Sequence, residues 1–138
     1  MEVKGSVALV TGANRGLGAA FVRELPAAGA HKVYAAARDP SQIVEPGAIP
    51  VQLDVTSQSQ AEALALQLSD VSLVINNAGI GGAGEVLDPS SINLLKSQFE
   101  TNVVGLLRIS QVFAPVLACR NESAIINVIS ALSWATLP

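Results

Sequence analysis

The chain is poor in the residues that build disulfides and metal sites. It has one cysteine, Cys119, and one histidine, His31. No internal disulfide can form, and the two residues alone do not make a zinc site. The expectation is a reduced, metal-free framework, with the cytoplasm as its compartment. Charge is scarce as well: 14% of the residues are charged, and 8 basic against 11 acidic groups give −3. The basic residues are scattered rather than striped, so nucleic acid is not an expected partner. The longest apolar stretch, residues 103–119, is broken by Arg108, Ser110, Gln111 and Pro115, which argues against a transmembrane helix. The run Val7–Val10 after Lys4 is too short for the core of a signal peptide. What the chain does have is 50% apolar residues over 138 positions. That supports the core of one domain and excludes disordered, collagen-like and coiled-coil classes.

Short Val- and Ile-rich runs alternate with segments of helical spacing, the pattern of strand–helix–strand units in a parallel sheet. The sequence predicts five strands, at residues 6–11, 32–37, 49–53, 71–76 and 124–130. A helix from Gly16 to about Ala28 carries Leu17, Phe21 and Leu25 at four-residue intervals, with Pro26 in its last turn and Gly29 as its stop. A second, from Ser57 to Leu68, lines up Ala61, Leu64, Ala65 and Leu68 as a core face. Residues 40–47 hold two prolines and a glycine, leaving room for one helical turn. Asp88 and Pro89 read as the cap and first turn of a long helical region ending near Ala118, with Gly105 inside it and Pro115 as a kink. Cys119 reads as a small packed residue and His31 as a surface loop residue.

The residues with chemistry begin at Thr11-Gly12-Ala13-Asn14-Arg15-Gly16-Leu17-Gly18, where the first strand ends and the first helix begins. A nucleotide pyrophosphate meets free helical N–H groups at such a position. Glycines at 12, 16 and 18 permit a tight turn, close approach of backbone to phosphate, and close packing of helix on strand. The alternative is an ordinary glycine turn, against which the spacing of three glycines argues. A second textual match to G-x-G-x-x-G, Gly79 to Gly84, is followed by Glu85 to Pro89. No helix opens at its third glycine, so it reads as a flexible loop beside the site.

Four segments in order, Thr11 to Gly18, Leu53-Asp54-Val55-Thr56, Asn76-Asn77-Ala78-Gly79 and Asn127-Val128-Ile129-Ser130, resemble the short-chain dehydrogenase/reductase family along the whole chain. The resemblance implies an α/β, Rossmann-like doubly wound parallel sheet, here as one NAD(P)-binding domain over residues 1–138. It implies a nicotinamide dinucleotide across the carboxyl ends of the strands, held by Gly12, Asn14, Arg15, Gly16, Leu17 and Gly18. Asp54 would then accept a hydrogen bond from the adenine amino group, with Val55 along the base, and Asn77, Ala78 and Gly79 would line the ribose. Turn-forming or strand-ending roles are the alternatives for Asp54, Asn76 and Asn77.

Charge bears on which dinucleotide is bound. The second strand ends Ala35-Ala36-Ala37-Arg38, and Arg15 sits in the glycine turn. Two guanidinium groups can converge on a 2′-phosphate, so NADP(H) is expected over NAD(H). Asp39 leaves this open, since it can turn toward ribose hydroxyls or pair with Arg38.

In catalysis the resemblance implies Ser130 as the serine that holds the substrate oxygen, with Ser133 as a competitor, and Asn102 as the asparagine of a proton relay. The family's Tyr-x-x-x-Lys motif would start roughly a dozen residues beyond Ser130, past Pro138. The only tyrosine, Tyr34, lies in the second strand without a lysine four residues on. The uncharged run Ala124 to Ile129, with Trp134 and Leu137 after it, would form an apolar edge if it were the last strand. The sequence therefore reads as the cofactor-binding part of a longer enzyme, cut before its catalytic motif and inactive by itself. The expected reaction is interconversion of a small-molecule alcohol and carbonyl compound. A catalytically silent dinucleotide-binding module or truncated isoform, and an epimerase or dehydratase on the same fold, are the alternatives. A homodimer or homotetramer through residues 89–118 is implied by the family, although Leu94, Leu95, Phe99, Leu106, Val112 and Phe113 equally suit packing on the sheet.

Overall fold

The computed structural model describes residues 1–82 and 87–130. Its centre is a parallel sheet of five strands, β1 (Val7–Thr11), β2 (Lys32–Ala37), β3 (Ile49–Gln52), β4 (Leu73–Asn76) and β5 (Ala124–Asn127), in the order β3-β2-β1-β4-β5. Among the described residues four helices accompany them: α1 (Gly16–Ala27), α2 (Gln58–Gln67), α3 (Ser91–Phe99) and α4 (Leu106–Ala118). Between β2 and β3 the chain makes only the short 3₁₀ turn Pro40–Gln42. The doubly wound class is thus confirmed.

Alternation along the strands sends successive side chains to opposite faces. Ala8 and Val10 of β1, Val33 and Ala35 of β2, and Leu73 and Ile75 of β4 pack under α1 through Val22 and Leu25. Leu9, Tyr34, Ala36 and Val74 face the other way, against Ala61, Leu64 and Ala65 of α2 and Ile109, Phe113 and Leu117 of α4. Both faces being covered explains why the strands read as nearly continuous apolar runs.

The ladder is shorter than the apolar runs. Ser6, Leu53 and Val71 are buried, but lie just outside β1, β3 and β4, because packing beneath helices selects apolar residues as strongly as pairing does. Val128 still donates its N–H to the Asn76 carbonyl at 2.9 Å, whereas Ile129 is 71% exposed. Ser130 therefore lies three residues beyond β5 rather than at its end. On α1 the buried face is Gly18, Val22 and Leu25. Leu17, expected on the apolar stripe, is 53% exposed. The expected face of α2 is buried as read, and Ser57 caps it by accepting from the Gln60 N–H. Asp88 caps the turn before α3, its Oδ1 accepting from Ser90 N at 2.7 Å, and not the helix itself, which starts three residues on. Cys119 is exposed at the end of α4 instead of packed, and His31 is exposed as expected.

Between α3 and α4 the helix continues as a π-helical stretch, Glu100–Gly105. Ser91–Ala118 is consequently the one helix among the described residues long and apolar enough to cross a membrane by length and composition, with a mean hydropathy of 1.3 over its best window. The sequence analysis expects no such segment. Its apolar character has a local use, since Ile109, Phe113 and Leu117 form part of the core.

The two sheet edges differ. Edge strand β3 contains Pro50, whereas β5 exposes Ile125 (37%) and Ile126 (45%).

At the amino ends of the strands, Lys32 Nζ donates to Asp70 Oδ2 at 2.5 Å and the Tyr34 hydroxyl lies 3.2 Å from Asp70 Oδ1. Hydrogen bonding to Asp70 raises the Lys32 pKa. Desolvation pushes Asp70 upward, but the bonds from Lys32 and Tyr34 outweigh it and leave its carboxyl below the ordinary range. A depressed acid adds stability that is present above its unfolded value, about 4, and lost as pH falls through the folded value. A raised lysine adds stability present below about 10.4 and lost as pH rises through its folded value. Asp70→Asn is expected to melt lower at neutral pH and to lose less on acidification between about pH 6 and pH 2 than the parent protein. Parallel acid limbs in thermal melts of the two proteins would refute this.

Candidate functional site

The strand order reverses direction at β1. From there the chain moves outward to β2 and β3, then returns to the other side of β1 as β4. Such a switch point leaves a crevice at the carboxyl ends of the two central strands. The turns after β1 and β4 meet there.

They are clipped together by Thr11, which is 1% exposed. Its Oγ1 accepts from the N–H groups of Asn77 and Ala78, each at 3.0 Å, and donates to the Ile75 carbonyl at 3.4 Å. Asn77 returns the contact, its Nδ2 donating to the carbonyls of Thr11 at 3.0 Å and Gly12 at 3.2 Å. Gly12 and Gly16 have φ of +64° and +56°, the left-handed region that costs other residues energy. A Cβ on Gly12 would also lie 2.8 Å from Ala78 Cα. At Gly18 the constraint is contact alone, because a Cβ there would sit 2.1 Å from the Gly12 carbonyl oxygen.

A cleft of about 1150 Å³ opens above this clip. Ten of the sequence-predicted residues line it: Gly12, Asn14, Arg15, Gly16, Arg38, Asp54, Val55, Asn77, Ala78 and Gly79. Gly18 lies beneath it, packed on the Gly12 carbonyl. Leu17, in the first turn of α1, is outside the lining. That turn has no side-chain cap from Arg15 and no acidic residue, and a Cβ on Gly16 would meet nothing within 4 Å. Open space therefore faces uncapped helical N–H groups, an arrangement suited to a phosphate.

The charged groups around the cleft are unequally engaged. Arg15 and Arg38 make no ion pair among the described residues. Asp39 accepts from Ser41 N–H (3.0 Å), Ser41 Oγ (2.6 Å) and Gln42 Nε2 (3.2 Å), and the Ser41 hydroxyl is the main cause of its lowered pKa. Asp54 turns Oδ1 onto Thr56, accepting from its N–H at 2.9 Å and its hydroxyl at 2.7 Å. The hydroxyl of Thr56 is the main reason its carboxyl sits below the ordinary range. Its Oδ2 has no hydrogen-bond partner among the described residues.

The π-helical stretch builds the far wall. Asn102 points its amide at the loop after β4, with Oδ1 accepting from Ile80 N at 2.8 Å and Nδ2 donating to Ile80 O at 2.9 Å. Both ends of the amide are thus spent on fixing this loop. Gly105 packs on Val55, where a Cβ would come within 2.9 Å of Val55 Cγ2. Arg108, on the next turn, donates to the Val55 carbonyl at 2.7 Å, to Gln58 Oε1 at 3.0 Å and to Glu100 Oε1 at 3.0 Å. Lys96, Ser97, Glu100 and Thr101 also line the cleft. Neither these residues nor Arg108 nor Gln42 was marked by the sequence reading. Ser130 is exposed and outside the lining. Ser133, Trp134, Leu137 and the third glycine of the second G-x-G-x-x-G match, Gly84, lie outside the described residues.

Comparison with known proteins agrees with this geometry. The family model for short chain dehydrogenase matches residues 6–138. The chain belongs to the short chain dehydrogenase family. A crystal structure of a short chain dehydrogenase from Burkholderia cenocepacia in complex with NADP superposes with a TM-score of 0.92 at 38% identity, covering 100% of this chain and 59% of that one. A short-chain dehydrogenase/reductase from Pestalotiopsis microspora is 36% identical over 113 residues, 79% of this chain and 42% of that protein. Carbonyl reductase [NADPH] 2 from Sus scrofa is 31% identical over 144 residues, 100% of this chain and 58% of that protein. The chain thus spans about half the length of these curated relatives. As a short chain dehydrogenase it is a member of an oxidoreductase family, and the cleft just described suits a nicotinamide dinucleotide: uncapped helix N-terminus, glycine turn and two arginines that make no ion pair among the described residues.

Proposed function

We propose that the protein is an NADP(H)-dependent oxidoreductase that interconverts a small-molecule alcohol and a carbonyl compound, and that these 138 residues are its cofactor-holding part. One observation carries the cofactor reading: Arg15 and Arg38 share the cleft and neither makes an ion pair among the described residues, while Asp39 is engaged elsewhere and Asp54, whose carboxyl feels the Arg38 charge, is bonded to Thr56. A 2′-phosphate supplies the missing anion. The NADP complex of the Burkholderia relative and the NADPH dependence in the name of the Sus scrofa relative support it.

In this reading the open turn of α1, with Gly12, Gly16 and the Leu17 backbone, holds the pyrophosphate. Asp54 Oδ2 and Val55 meet the adenine, and Asn77 to Gly79 line a ribose. The nicotinamide, when bound, supplies or accepts the hydride. Ser130 donates its hydroxyl to the substrate oxygen as charge develops there, and Asn102 acts by fixing the Ile80 loop. Self-association uses the outward stripe Ile92, Leu95, Phe99, Val103 and Leu107, all between 49% and 65% exposed.

A second reading is a nucleotide-binding module without turnover, since no tyrosine of these 138 residues reaches the cleft. The only tyrosine of the chain lies at the amino ends of the strands, bonded to Asp70 and remote from the cleft. Fluorescence titration with NADPH and NADH tests the cofactor reading, and NADPH is expected to bind about tenfold tighter or better. Equal affinities would remove the NADP assignment, and binding of neither would remove the cofactor. Hydride consumption with a panel of aldehydes and ketones separates turnover from binding alone.

A further inference from the structure

Asp39 is the carboxylate next in sequence to Arg38 at the proposed 2′-phosphate subsite; Asp54, the other carboxylate near Arg38 in the cleft lining, is held by Thr56. An exposed aspartate there has two easy alternatives, pairing with Arg38 or accepting ribose hydroxyls, and both work against a phosphate. Asp39 does neither. The backbone at Asp39 (φ −119°, ψ 101°) leads into the 3₁₀ turn Pro40–Gln42, and both carboxylate oxygens fold back onto that turn. Oδ1 takes the Ser41 N–H and hydroxyl, and Oδ2 takes Gln42 Nε2. The same Gln42 amide accepts through Oε1 from Asn14 Nδ2 at 2.8 Å. One side chain therefore ties the aspartate to the glycine turn across the mouth of the cleft. The Ser41 backbone bond alone would leave Oδ2 unbound, so the two side chains set where the second oxygen points.

We propose that Ser41 and Gln42 are positioning residues for nucleotide selectivity: they latch the Asp39 carboxylate into its own turn and so keep it from pairing with Arg15 or Arg38, whose guanidinium groups are left for a 2′-phosphate. This deepens the NADP(H) reading and rests on it. Neither residue need touch the nucleotide. Their effect is on which charge faces the ribose.

The test is the ratio of NADPH to NADH affinity, measured by cofactor fluorescence, in the parent protein and three variants. Ser41→Ala/Gln42→Ala should lower the ratio about tenfold, with NADPH weakened and NADH strengthened, because a released carboxylate repels the phosphate and accepts ribose hydroxyls. Adding Asp39→Asn to that pair should restore the ratio to the parent value or above, since the released group then carries no charge. Ser41→Thr, which keeps the hydroxyl, should retain the parent ratio. Circular dichroism checks folding, and if the double variant does not fold, Ser41→Ala alone should show about a threefold fall. Equal losses for both nucleotides, or no recovery on adding Asp39→Asn, would overturn the latch while leaving the NADP(H) reading intact. A parent protein that binds neither nucleotide, or prefers NADH, would overturn that reading itself.

Discussion

Gly18→Ala is expected to weaken dinucleotide binding about 100-fold. The added methyl would sit 2.1 Å from the Gly12 carbonyl oxygen, 2.6 Å from Asn77 Nδ2 and 2.9 Å from the Gly12 carbonyl carbon. Two of these atoms are backbone of the turn after β1, so no side-chain rotation relieves the clash. Either α1 moves away from that turn or the turn moves away from Asn77. A displacement of about 1 Å in a positioning element is enough to cost about 100-fold, and overpacking adds about 1–3 kcal/mol of destabilisation. Titration with NADPH and a thermal melt read the two effects separately. Binding within about threefold of the parent protein would show that the contact between α1 and the glycine turn is dispensable.

Thr11→Val is expected to have the second-largest effect, and through stability first. Valine keeps the shape and removes the oxygen on which the Asn77 and Ala78 N–H groups converge. Those donors lie in the partly buried floor of the cleft, and each one left unsatisfied costs about 1–3 kcal/mol. The loss is about 2–4 kcal/mol, a fall of roughly 3 °C in Tm for each kcal/mol in a chain of this size. Thr11→Ser keeps the oxygen and should recover most of the loss. A Thr11→Val protein that melts within about 2 °C of the parent would show that water replaces the hydroxyl.

The parts of the site written in glycine and asparagine were legible because those residues answer to backbone demands that few others meet. Gly12, Gly16 and Gly18 each occupy a position where either φ or contact excludes a side chain, and Asn77 uses its amide to bridge two turns. Strand identities were legible from apolar runs, but strand ends were not. Val71, buried just outside β4, has the same composition as a residue within it. The face of α1 was misjudged because Leu17 is apolar and Gly18 carries no hydrophobic signal, although Gly18 is the residue pressed against the strand end. The π-helical stretch left no mark beyond Gly105, since a change from four- to five-residue bonding needs no particular side chain. Arg108 and Gln42 were missed for the same kind of reason. Arg108 reads as a charge interrupting an apolar run, and its three acceptors lie 8, 50 and 53 residues away in sequence. Asp54 and Asp39 are typical turn formers, and the structure gives both of them turn bonds.

The proline in β3 gives the sheet a direction of growth. Leu53 donates its N–H to the Ala37 carbonyl of β2, so by alternation along the strand the nitrogen of Pro50 points outward, where it carries no proton to offer. A sixth strand arriving on that flank would find a gap in the ladder. The β5 flank has no such gap and presents Ile125 and Ile126. A strand added to this sheet is therefore expected beside β5, on the side of Asn127 and Ser130. One imino acid thus makes the β3 flank, beyond β2 and Arg38, the poorer edge for strand addition.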